Sequence, residues 1–301
     1  MDFSVKDFNV RLRTIRLWEL IVAIIISFFL TGFVENYFNI SSSQFEYVLF
    51  FCFMMVFFMI ATYGTTGFNK DVNDLFEFSN ILRVLVLVIS NMFIAFFIQA
   101  LFSPIDAVIG VINSISLPLM DISSGSTNPL LFIIELFSAI IIAPISEELF
   151  FRGVLFNRLK IRKGFVFGLI VSSVIFGLCH INYPDHIAHI TYTCIMGMSL
   201  CILYSRTDNL LLNMVVHSVY NLTSYLIVYT PLQYLLVSGE LGSLMGLLLL
   251  SSLIFMPIYI LYFTYKLKWS FYYLFLMHCL LRRWMVFGIN KIFLKKFINN
   301  I

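Results

Sequence analysis

The sequence predicts an all-α protein, a polytopic bundle of about eight transmembrane helices. Three observations predict it. Of the 301 residues, 60% are hydrophobic and only 12% are charged, more apolar surface than a soluble domain of this size can hide. The apolar residues gather into runs close to the roughly 20 residues that a helix needs to cross a bilayer. All 19 Lys and Arg residues then fall on one side of the resulting zigzag.

The runs are about 17–34, 47–64, 84–103, 129–151, 165–183, 187–205, 209–230 and 241–265. Lys6, Arg11, Arg13 and Arg16 precede the first, and Lys70 and Arg83 join the second to the third. Arg152, Arg158, Lys160, Arg162 and Lys163 join the fourth to the fifth, Arg206 joins the sixth to the seventh, and seven basic residues follow the eighth. The excess of basic residues on cytoplasmic connections places both termini in the cytoplasm of a multi-pass cell-membrane protein. The first run is too long for the core of a cleavable signal peptide, and no small-x-small site follows it. The five cysteines sit in or beside apolar runs without a CxxC pair and read as small buried hydrophobes.

Between the third and fourth spans, residues 104–128 carry Pro104, Gly110, Pro118 and "SSGSTNP", the composition of an external loop. Residues 268–301 mix Trp, Tyr and Phe with Lys and Arg, as suits a helix lying on an anionic membrane surface. The chain therefore divides into 1–128 with three spans and the loop, 129–230 with spans four to seven, and 231–301 with the last span and basic tail. The lipid bilayer is its first expected partner, and no nucleic acid is expected.

Ionisable groups inside a span cost several kcal/mol and by default mark function. Glu19 and Glu135 lie near span ends, and Asn91 and Gln99 suit hydrogen bonds between helices. The others form a set. Glu148 and Arg152 are four apart and share a helix face, whereas Glu147 lies about 100° away and is poorly placed for that pairing. One acid is thus structural and the other is left to act as a base. His180 ends "FGLCH", with Phe176 on its face, and His217 and Asn221 in "HSVYN" are again four apart. Glu147 and His180 lie sixteen and seventeen residues from Lys163, so an antiparallel hairpin brings both to one height, roughly 25 Å from the turn.

Ser146 precedes Glu147, but nothing sets a histidine beside it as a nucleophile's base would require. A glutamate with a histidine suits activation of water, and a second histidine with an asparagine suits stabilisation of an oxyanion. Together they describe amide hydrolysis by directly activated water. A metal-assisted version with zinc held by His180, His217 and Glu147 stays open, although HExxH is absent. His180, His186 and His189 form a rival metal cluster.

The three motifs resemble a known family. "EELFFR", "FGLCH" and "HSVYN" are similar to the EExxxR, FxxxH and HxxxN signatures of the CAAX-protease and bacteriocin-processing (CPBP, Abi) intramembrane proteases, over about 140–222. The resemblance implies a helical intramembrane protease with a cavity open to the cytoplasm. It implies Glu147 and His180 as the water-activating pair, His217 and Asn221 as oxyanion stabilisers, and Glu148 and Arg152 as supporting residues. It also implies a membrane-associated peptide or protein as substrate. Family members are associated with peptide maturation, bacteriocin self-immunity and regulation of membrane sensor kinases, so a sensor kinase is a second expected partner.

Overall fold

A computed structural model describes residues 1–39, 43–102, 129–181 and 186–229. The 104–128 loop, the eighth span, the basic tail and Cys279 lie outside the described residues.

The described residues are helical, without a strand; a single bridge joins Asp7 to Thr66. The helices are α1 (Phe8–Thr14), α2 (Leu17–Phe38), α3 (Ser43–Thr62), α4 (Phe68–Leu75) and α5 (Phe78–Phe102). Next comes a continuous rod from 129 to 163. It consists of α6 (Pro129–Phe137), a π-helical stretch (Ser138–Ile142), α7 (Ala143–Glu148), a second π stretch (Leu149–Phe156) and α8 (Asn157–Lys163). The chain continues with α9 (Phe165–Leu178), α10 (His186–Thr207) and α11 (Leu210–Tyr229). Five of these are long and apolar enough to cross a membrane: Leu17–Phe38, Phe45–Thr62, Phe78–Gln99, Ile187–Thr207 and Leu210–Ile227. The protein is a helical membrane protein, and its helices follow the first seven predicted runs in order.

Three differences have physical causes. The fourth apolar run ends near 151, but the helix continues through the basic segment to Lys163, beside the expected turn, and stops at Gly164. Gly164, with φ 92°, makes the hairpin to α9 in a backbone conformation that a Cβ would strain. The fifth span was expected to reach 183, yet regular helix ends at Leu178 and passes into turns through Ile181. Pro184 has no N–H to give a helical carbonyl at His180 and its ring would clash there, so a regular helix cannot run on through this sequence. At 1.5 Å per residue the 14 residues of α9 rise only about 21 Å. His180 therefore stands just past a helix end that falls short of a full bilayer crossing. Third, two short helices that the apolar pattern did not anticipate, α1 and α4, lie beside the spans.

Packing follows the apolar pattern. Phe28, Phe29 and Phe33 of α2 are each more than 60% exposed and form a lipid-facing surface, while Leu20, Ala23, Ser27 and Thr31 face inward. The α9–α10 contact depends on small residues. A Cβ on Gly177 would come within 2.8 Å of Ile190 O, and one on Gly197 within 3.2 Å of Ser173. Such close backbone approach is how helices gain packing when lipid supplies no hydrophobic drive.

The basic connections gather at one end of the bundle. Arg158 donates to the carbonyls of Thr14 and Ile15, and Arg13 pairs with Asp208 between α10 and α11. Asn9 donates to Asp71 Oδ2 at 3.0 Å and Asn209 to Asp71 O at 2.9 Å. The buried Arg11 donates to the carbonyls of Phe3, Val5 and Ala61. The N-terminal segment and the turns after the second, fourth and sixth spans thus meet through polar bonds, as the even zigzag requires.

Candidate active site

The site grows from Glu148, which is fully buried on α7. Arg152 Nη1, one turn further along the rod, donates to Glu148 Oε1 at 2.7 Å. His217 Nδ1 on α11 donates to the same oxygen at 3.0 Å, and Asn213 Nδ2 donates to Oε2 at 3.2 Å. A carboxylate only accepts, so three donors from two helices satisfy it. The Arg152 guanidinium also lies 4.5 Å over the Phe176 ring of α9. Burying one charge without such partners would cost several kcal/mol.

Glu147 stands apart from this network, as its angular offset predicts. Its side chain keeps 17% exposure, and its Oε2 lies 3.7 Å from His217 Nε2. His217 therefore sits between the two glutamates, with Nδ1 on the buried one and Nε2 toward the accessible one. His180, half-buried at the end of α9, bonds its Nδ1 to Phe176 O at 2.8 Å. A carbonyl cannot donate, so Nδ1 carries the proton and Nε2 is the basic nitrogen. The Phe176 ring contacts both imidazoles, at 4.9 Å from His180 and 5.8 Å from His217 by centroid. The aromatic residue of the FxxxH motif is thus a spacer between the histidines. The imidazole seated against Glu147 is that of His217, although hairpin arithmetic had paired Glu147 with His180.

The π stretches explain how the rod presents these groups. In the first, Ala143 N–H reaches back to Ser138 O rather than to Ala139 O. A π partner for Ala139 O would be the N–H of residue 144, and Pro144 has none. Asn221 Nδ2 supplies that bond at 2.8 Å and ties α11 to the rod. In the second stretch, Asn157 Nδ2 donates to Arg152 O and Gly153 O, both at 3.0 Å. Gly153 leaves room for Leu12 and Leu210, each within 3.4 Å of where a Cβ would stand. Wide turns of this kind recur at functional sites, where they re-aim side chains.

Asn213 joins the site beyond the residues expected from the sequence. Its signal was present, since Asn213, His217 and Asn221 repeat at four-residue spacing on one face of α11. Asn91 does bond across helices, to Ser199 Oγ at 3.1 Å. Ser146 is buried and donates to Phe51 O at 3.3 Å. Cys52, Cys179, Cys194 and Cys201 are free thiols. His180 stacks on His189 at 5.8 Å, and Tyr192 Oη bonds His189 Nδ1 at 2.5 Å. Among the described residues, no group of three or more His, Cys, Asp and Glu is placed to hold a metal ion. As they stand, His180, His217 and Glu147 do not gather as a zinc site, and the side chain of His186, in the rival cluster, lies outside the described residues.

Fold and site together define a helical membrane protein with an accessible glutamate and a histidine held on a buried ion pair. Residues 129–223, which contain all three motifs, match the family described as Rce1-like, type II CAAX prenyl endopeptidase. The resemblance to CAAX endopeptidases is borne out over that segment. A protein of Bacillus subtilis (strain 168) named "Putative membrane peptidase YdiL" is 33% identical over 81 residues, which are 27% of this chain and 32% of that protein. The chain thus spans about a third of the length of that curated relative. No solved structure matches the chain.

Proposed function

We propose that the protein is an intramembrane endopeptidase of the CAAX-protease (CPBP, Abi) type, which hydrolyses a peptide bond of a membrane-associated protein or peptide. The observation that carries this reading is the division of labour between adjacent carboxylates. Glu148 is consumed by Arg152, His217 and Asn213, whereas Glu147 stays accessible with His217 Nε2 3.7 Å away.

In this reading Glu147, with His180 Nε2, takes a proton from a water molecule as its oxygen adds to the scissile carbonyl. The carbonyl oxygen becomes an oxyanion and accepts hydrogen bonds from His217 Nε2–H and from the amide of Asn221. Because His217 Nδ1–H is already given to Glu148, this role requires a second proton on Nε2. The protonated Glu147 then passes its proton to the leaving nitrogen, the C–N bond breaks, and an acid and an amine result. Glu148 and Arg152 position His217 and do not touch the substrate. Peptide maturation and bacteriocin self-immunity are the roles that suit this chemistry.

The protein is proposed to sit in the cell membrane with both termini and the 152–163 segment facing the cytoplasm. Single cysteines placed at 42 and 125, on a background without native cysteines, should label with an impermeant reagent from outside. A cysteine at 160 should not label.

The deciding experiment compares the membrane proteome and released peptides of cells carrying the wild type with those carrying Glu147→Gln. A substrate that accumulates uncut only in the variant supports the peptidase. If Glu147→Gln keeps the full cellular phenotype, the protein acts instead as a non-proteolytic regulator that binds a partner such as a sensor kinase.

A further inference from the structure

At the basic end of the bundle, away from the glutamates, lies a cavity of about 290 Å³ lined by Arg13, Asn157, Lys160, Tyr204, Ser205 and Asp208 among others. Three separate parts of the chain build it: α1, α8, and the end of α10 with the turn that follows. Its walls are rich in donors, namely a guanidinium, an ammonium, two hydroxyls and an amide. One carboxylate opposes two cations, and that carboxylate is already paired with Arg13 and 60% exposed to water.

Two donor atoms in the wall face no anionic acceptor, although Arg13 pairs with Asp208 through Nη2. Arg13 Nε is buried and has no hydrogen-bond partner. Lys160 Nζ donates to Ser205 Oγ, a neutral oxygen, at 3.1 Å, and lies 5.6 Å and 6.0 Å from the Phe156 and Phe165 ring centroids. Burial, with Arg13 nearby, holds the Lys160 ammonium below its usual range. Arg158 and Arg162, on the same helix, repel one another and add to the local positive field. A buried donor without an acceptor is unfavourable, so an anion with several oxygens would satisfy several needs at once. Basic pockets between transmembrane helices are suited to anionic headgroups.

We propose that this cavity binds a phosphate group, carried either by an anionic lipid headgroup or by a soluble phosphate compound. Phosphate oxygens accept from Arg13 Nε, Lys160 Nζ and the hydroxyls of Tyr204 and Ser205. The site is independent of the peptidase reading, because it uses no residue of the Glu147–His217 centre.

The test uses the purified full-length protein in nanodiscs of phosphatidylcholine with a small fraction of phosphatidylglycerol. Native mass spectrometry counts retained phosphatidylglycerol, and inorganic phosphate is titrated in a parallel thermal-shift assay. Lys160→Met keeps the apolar stem on Phe156 and Phe165 while removing the charge, and should weaken binding about tenfold or more. Arg13→Gln should weaken it similarly, and Lys160→Met guards against misfolding from the lost Arg13–Asp208 pair. Lys70→Gln, an exposed basic residue on α4, should leave binding unchanged. Lipid retained by the wild type and lost in Lys160→Met identifies a lipid headgroup as the source. A phosphate-dependent shift lost in Lys160→Met, without lipid retention, identifies a soluble source. If neither probe binds, or if Lys70→Gln weakens binding as much as Lys160→Met, the proposal is overturned.

Discussion

His217 donates its Nδ1 proton to Glu148 Oε1 at 3.0 Å, which fixes Nε2 as the nitrogen that faces Glu147. The second glutamate of the EExxxR motif thereby sets the orientation of a histidine 69 residues further along the chain. Arg152 and Asn213 hold that carboxylate in place, so the imidazole cannot turn without breaking a buried network. Preorganisation of this kind lets a polar group act on a developing charge without first reorienting.

The first prediction concerns the accessible acid. Glu147→Gln is nearly isosteric and removes the base, and it should lower turnover about 10²–10⁴-fold. Because Glu147 lies outside the Glu148 network, the thermal midpoint of the purified protein should hardly move. His180→Ala and His217→Ala should also abolish cleavage, the second with some loss of stability. A Glu147→Gln protein that cuts a natural substrate at the wild-type rate would show that another group is the base.

Glu148 should behave in the opposite way. Glu148→Ala leaves Arg152 buried without its carboxylate and should cost about 3–5 kcal/mol, seen as a lower midpoint and poor recovery in detergent. Glu148→Gln keeps one acceptor oxygen, which can still serve Arg152 and His217, and should cost less. In the double variant Glu148→Ala with Arg152→Met, stability should be partly regained while activity stays lost, because His217 has still lost its anchor. Equal stability of Glu148→Ala and wild type would remove the structural role assigned to the pair.

Asn221 carries a prediction that its sequence neighbourhood alone would not give. Its amide supplies the hydrogen bond that Pro144 denies to Ala139 O. Asn221→Ala should therefore destabilise the fold by about 1–3 kcal/mol through an unsatisfied carbonyl. Asn221→Asp sets an acceptor against an acceptor and should be worse. If both variants lose activity but keep the wild-type midpoint, Asn221 serves the reaction alone and the helix tie is unimportant.

Much of this was legible in the sequence, for reasons of periodicity. Apolar run lengths gave the spans, and the four-residue spacing of Glu148 and Arg152 gave their pairing. The offset of Glu147 gave its separation from that pair. What escaped was whatever depends on three-dimensional register. Hairpin counting put Glu147 and His180 at one height but could not see that α11 lays His217 against both glutamates. Pro144 was visible as a letter, yet its effect, a π turn with a carbonyl satisfied from another helix, appears only when α11 is in place. Asn213 went unnoticed because one more asparagine in an apolar helix carries no signal until its partner is known. The early end of α9 is invisible in the apolar pattern because the apolar run continues past the last regular turn.

The last prediction concerns metal. His217 keeps Nδ1–H on a carboxylate, an arrangement that also orients histidines toward metal ions, so the alternatives compete at one nitrogen. Three donors converging on one point are needed for a catalytic zinc. Among the described residues no such group is gathered, and His180 stands across Phe176 from His217. Asn221, a hydrogen-bond donor and a poor zinc ligand, occupies the next position on the His217 face. Hydrolysis by Glu147-activated water should therefore survive exhaustive chelation, and elemental analysis of active protein should find zinc well below one per chain. Stoichiometric zinc whose removal stops turnover, and whose return restores it, would refute this. It would recast His180 and His217 as ligands, with Glu147 as the base on metal-bound water or as a third ligand. The two outcomes also differ in the effect of His217→Asn. An oxyanion donor replaced by another donor should retain part of the rate, whereas a lost ligand should release the metal and leave none.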